Sequence, residues 1–102
     1  MTAKVGDRVG AILKANEDTV WLFGYGTYEG QAVPDESLGV KDFAGGPMTH
    51  LNYCLKLDSG KLVFGCECWW GPEEYIKSLV TSCRVVIVAD IEEERNKRNK
   101  LN

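Results

Sequence analysis

At 102 residues, 44% apolar and 26% charged, the chain can form one domain (residues 1–102) with a buried core and needs no disulfide staples. Its net charge of −3, from 12 Lys and Arg against 15 Asp and Glu, argues against nucleic acid as a partner, because neutralising phosphates takes a basic surface. The start, Met1-Thr2-Ala3-Lys4-Val5, carries no apolar leader and no stretch reaches bilayer length, so a cytoplasmic chain without a membrane partner is expected. The four cysteines, Cys54, Cys66, Cys68 and Cys83, are then expected to be thiols.

In chain order, Arg8–Ala15 predicts a first strand, with Val9, Ala11 and Leu13 on one face and Ile12 among the residues of the other. Asn16-Glu17-Asp18 is a polar turn. A second strand starts near Thr19 and runs to about Gly26, with Trp21, Phe23 and Tyr25 on one face and Val20 and Leu22 on the other. Gly24, Gly26 and Gly30 mark a bulge, a bend or a close backbone approach, so Gly24–Val33 reads as a bent continuation. Gln31–Asn52 is the least regular part, a loop long enough for a lid or binding loop, with a short helix predicted at Val40–Ala44.

Tyr53–Leu57 and Lys61–Trp69 predict a hairpin around Asp58-Ser59-Gly60, with Gly60 supplying the positive φ of a tight loop. Matching apolar faces pairs Leu57 with Leu62, Leu55 with Phe64 and Tyr53 with Cys66. Gly71-Pro72-Glu73-Glu74 opens a helix that runs to about Ser82, with Ile76, Leu79, Val80 and Cys83 as its apolar stripe. Arg84–Ala89 contains Val-Val-Ile-Val and predicts a central, covered strand. Residues 90–102 form a charged helix or frayed tail, with Glu93/Lys97 and Glu94/Arg98 as i, i+4 pairs and only Ile91 and Leu101 to bury.

The fold expected from these elements is α+β: a curved antiparallel sheet of about five strands, open or closing toward a barrel, with one packed helix and the charged C-terminal segment. One helix covers one face of such a sheet. The other face must curl on itself, pack under the long loop or meet a second copy in a homodimer.

Cys66-Glu67-Cys68-Trp69-Trp70 is the least ordinary stretch. Structural zinc sites use Cys-x-x-Cys knuckles, which are missing here, so Cys66 and Cys68 read first as buried thiols and no metal is assigned. Read as strand, the stretch turns Glu67 and Trp69 away from the two cysteines, and a carboxylate among rings needs a raised pKa or a dedicated partner. Tyr25, Tyr28, Trp69 and Trp70 with Glu29 and Glu67 make a candidate ligand-binding set, rings supplying apolar area and acids fixing orientation or charge. Gly24-x-Gly26-x-x-x-Gly30 lacks the dinucleotide and P-loop spacings, so no cofactor is assigned. His50, the one histidine, is an accessory candidate without a nucleophile signature beside it.

Val9-Gly10-Ala11-Ile12-Leu13, Leu22-Phe23-Gly24-Tyr25-Gly26 with Tyr28-Glu29-Gly30, and above all Gly65-Cys66-Glu67-Cys68-Trp69-Trp70-Gly71-Pro72-Glu73 resemble small uncharacterised bacterial proteins of mobile elements, of the integron gene-cassette or phage type. The resemblance spans most of Val9–Glu94 and implies a bacterial, cytoplasmic, accessory protein, with no functional residue to carry over. The expected function is therefore a noncatalytic module that binds a small ligand or partner on its aromatic and carboxylate face. The alternatives are a hydrolase or transferase with a Glu67/His50 acid–base pair, and a structural homo-oligomeric interaction protein.

Overall fold

A computed structural model describes residues 3–100. It is α+β, with six strands in one unclosed sheet and two helices. The strands are β1 (Arg8–Ala15), β2 (Thr19–Ala32), β3 (Asn52–Leu57), β4 (Leu62–Phe64), β5 (Trp69–Pro72) and β6 (Val85–Val88); the helices are α1 (Glu73–Ser82) and α2 (Ile91–Lys100). Antiparallel pairing gives the order β4-β3-β2-β1-β5, and β6 joins β2 in parallel, on Thr19–Leu22. No helix among the described residues is long and apolar enough to cross a membrane.

β2 is one long bent strand. Ala11 pairs with Gly24 but Ile12 with Leu22, so Phe23 is the extra residue of a bulge. The bulge inverts the alternation. Phe23 goes to the main core, while Tyr25 joins Val20 and Leu22 under α1 rather than sharing the face of Phe23. The main core lies on one side of the sheet, where Val9, Ala11, Phe23, Tyr28, Leu55, Leu57 and Val63 meet Ile91 of α2.

α1 starts one residue after Pro72, with Glu73 and Glu74 in its first turn, and buries the stripe that the 3.6-residue period predicts: Ile76 with Leu79, Val80 and Cys83, against Ile12 and Val20. The long loop covers a third cluster. Val40, with Leu38 and Met48 beside it, packs on Cys54 and Phe64. The helix expected at Val40–Ala44 is replaced by a 3-10 turn at Glu36–Leu38, capped by the Asp35 carboxylate, and by a turn in which Asp42 accepts from the N–H groups of Ala44 and Gly46. In each turn a side-chain acceptor satisfies backbone donors that a helix would otherwise have to pair.

The hairpin has a different register from the one predicted. Leu55 pairs with Val63, Cys54 with Phe64 and Lys56 with Leu62. Turn chemistry decides this. Gly60, at φ 94°, sends its N–H to the Leu57 carbonyl, and the Leu57 N–H reaches the Lys61 carbonyl at 2.9 Å. A three-residue loop of this kind sets Leu57 opposite Lys61. Both faces then find cover, Leu55 and Val63 in the main core and Cys54 and Phe64 under the loop.

β4 also ends sooner than predicted. Gly65–Glu67 is a 3-10 turn, and Trp69 and Trp70 belong to β5, paired to β1. β6 is not central. Val85, Val86 and Ile87 are 40–47% exposed and Val88 is 83% exposed. The tail is a helix docked on the chain's own sheet, with Ile91 and Arg95 buried. Of its predicted pairs, Lys97 bonds Glu94 at i, i+3 instead; Leu101 lies outside the described residues.

Arg8 ties three elements together. Its guanidinium bonds both Asp58 oxygens at 2.8 Å, at the hairpin tip, and Glu73 at 2.9 Å, at the start of α1. The Arg8 hydrogen bonds hold the Asp58 and Glu73 carboxyls below their usual range. A carboxylate whose pKa is lower when folded adds stability above its unfolded pKa, near 4, and loses it as the pH falls through the folded value. The thermal midpoint of the native chain should therefore drop more steeply below about pH 4 than that of Arg8→Gln, and added salt should narrow the difference. Parallel curves for the two proteins would show that Arg8 does not hold these carboxyls down.

Candidate functional site

The 3-10 turn, β5 and α2 enclose a groove of about 570 Å³, lined by Leu13, Tyr53, Cys66, Glu67, Cys68, Trp69, Trp70 and Arg98. Its wall is aromatic. Tyr28 stacks on Trp70 with ring centres 5.5 Å apart and planes 16° apart, and Tyr53 tilts against both at 6.1 and 5.3 Å. Adjacent residues of a strand point to opposite faces, so Trp70 packs on the core while Trp69 stands out at 73% exposure. Gly65 lets the wall close, because any Cβ there would sit 3.2 Å from the Tyr53 ring.

Glu67 lies at the bottom and is not free. Its two carboxylate oxygens take a fork from Arg95, Nε to Oε2 at 2.7 Å and Nη2 to Oε1 at 2.8 Å. Oε1 also accepts from the Phe64 N–H at 3.1 Å, and Arg95 Nη2 continues to the Leu62 carbonyl at 2.9 Å. Both side chains are buried. Arg95 is the dedicated partner that a buried carboxylate calls for. The pair neutralises the acid and pins α2 to the hairpin.

The thiols are poised to stay protonated. Burial, with the Glu67 charge added, pushes Cys68 up to about 12 and Cys66 in the same direction. The Cys68 thiol donates to the Phe64 carbonyl. Both shifts disfavour the thiolate form, although Cys66, expected to be buried, is exposed and Cys68 is half-buried. Among the described residues, no three His, Cys, Asp or Glu side chains gather as a metal site.

The structure therefore brings together part of the predicted set. Glu67, Trp69 and Trp70 line the groove, and Tyr28 backs Trp70 from the core. Tyr25 packs beneath α1 with Lys77 over its ring at 5.7 Å. Glu29 is exposed on β2, taking a hydrogen bond from Thr27. His50 is exposed in the long loop and is not among the groove residues. Tyr53, Arg95 and Arg98 are site residues that sequence reasoning missed. The signal for Arg95 was available: it stands four residues after Ile91, on the face that the helix buries. Arg98 lines the groove one turn further and has no ion-pair partner among the described residues.

Comparison with protein-family models, curated proteins and solved structures gives no match.

Proposed function

We propose that the chain is a noncatalytic binding module whose groove takes a small planar ligand with an anionic end. The exposed Trp69 carries this reading, together with Arg98, which lines the same groove and has no ion-pair partner among the described residues. Ring faces supply apolar contact, and a guanidinium matches a carboxylate or phosphate in a fork. The sign of the ligand's charge follows from the Glu67–Arg95 pair. Among the described residues that line the groove, the acid Glu67 is already neutralised and the remaining charge is Arg98, so an anion fits better than a cation. An acid–base pair of Glu67 and His50 finds no support, because Glu67 is spent on Arg95 and the Phe64 N–H. The resemblance to mobile-element proteins would make such binding an accessory role.

The test compares 2-naphthoate with 2-naphthylmethylamine, which share a ring system and differ in charge. The ring N–H signals of Trp69 and Trp70, both lining the groove, are followed in the nitrogen-labelled full chain, the Trp70 signal serving where Trp69 is replaced. Naphthoate should shift them saturably and the amine should bind more weakly. Trp69→Ala should cost about tenfold in naphthoate affinity, and Arg98→Gln should erase the preference for the acid. Saturable binding that both substitutions leave unchanged would overturn the assignment, as would a Trp69 signal that neither probe moves.

A further inference from the structure

β6 leaves a row of apolar side chains and an unpaired backbone edge at the surface. We infer that a second copy of the chain docks there, the two β6 strands pairing antiparallel about a two-fold axis at Ile87. This rests on residues separate from the aromatic groove.

Backbone parity limits the register. The Val85 N–H bonds the Asp18 carbonyl and the Ala89 N–H the Leu22 carbonyl, so odd-numbered residues turn their polar groups to β2. Val86 and Val88 present theirs outward, and nothing among the described residues takes them. Hydrogen-bonded pairs across a new antiparallel ladder must then join even-numbered residues. Three two-fold registers do so while giving both Val86 and Val88 a partner within Arg84–Asp90, those centred on Val86, Ile87 or Val88. Centring on Val86 sets Val88 against Arg84, and centring on Val88 sets Val86 against Asp90. Centring on Ile87 pairs Val86 with Val88 twice, places Ile87 on Ile87, and sets Arg84 of each copy opposite Asp90 of the other.

Charge favours that last register. Arg84 is exposed and has no ion-pair partner among the described residues. Asp90 keeps 37% side-chain exposure, and it shares Lys61 with Glu92 at 2.6 and 3.5 Å, two acids to one base. An arginine from the second copy balances them. A self-complementary strand of this kind is what an isologous interface needs. It also disposes of an apolar edge that would otherwise invite unspecific pairing.

The full chain under reducing conditions should show a concentration-dependent dimer by sedimentation. Cysteines at Ile87→Cys face each other in a non-hydrogen-bonded pair, about 4.5 Å apart at Cα, and should cross-link on mild oxidation. Those of Val85→Cys lie about 13 Å apart and should not, with the native chain as control for its own thiols. Arg84→Glu should weaken self-association about three- to tenfold. A native chain that stays monomeric to about 1 mM overturns the proposal. So does a dimer that cross-links equally, or not at all, through the two cysteine variants, or one that Arg84→Glu leaves unchanged.

Discussion

Arg95→Ala should cost about 3–5 kcal/mol of stability, read as a shifted midpoint in urea. The change leaves the Glu67 carboxylate buried with one remaining donor, the Phe64 N–H, and strips the Leu62 carbonyl of its side-chain donor. A buried charge without its counter-charge is far more costly than the intact pair is stabilising, since both ions lost their hydration on folding. Replacing both at once, Glu67→Leu with Arg95→Met, should therefore recover most of the loss. A single substitution costing under about 1 kcal/mol would mean that water reaches the carboxylate and the pair is not a clamp.

Gly26→Ala should be at least as severe, about 4 kcal/mol or more, and should leave little folded protein. A Cβ at this position would overlap the Lys56 carbonyl oxygen and stand 2.6 Å from the Leu57 Cα. Both obstacles are backbone, so no rotamer relieves the clash. The one escape is to open the β2–β3 ladder at Gly26 and Leu57, where Leu57 joins the main core. Far-ultraviolet circular dichroism and a denaturant titration check this, and a folded variant within 1 kcal/mol of the native chain, roughly, would refute it.

Elements with a strong local period were legible from the amino acids. β1 and α1 fall where alternation and the 3.6-residue stripe put them. Register and direction were not, because tertiary or turn geometry decides them. Gly60 sets the hairpin register through its hydrogen bond, and the extra residue Phe23 inverts β2 halfway. Val85–Val88 has the composition of a covered strand, and only topology shows it at an edge. The candidate site was half visible. Trp69 and Trp70 advertise themselves, but the role of Glu67 depends on Arg95, a residue 28 positions away that reads locally as one charge in a solvated tail.

That separation has a bearing on synthesis. Chains are made from the N-terminus at about 5–20 residues per second. For the seconds in which Glu67 has left the ribosome and Arg95 has not, the acid has no mate, and closing the pocket around it is unfavourable. Collapse of the β4–β5 turn is thereby held back until the helix that completes it is at hand, and a nascent chain halted in that interval would remain open to proteases.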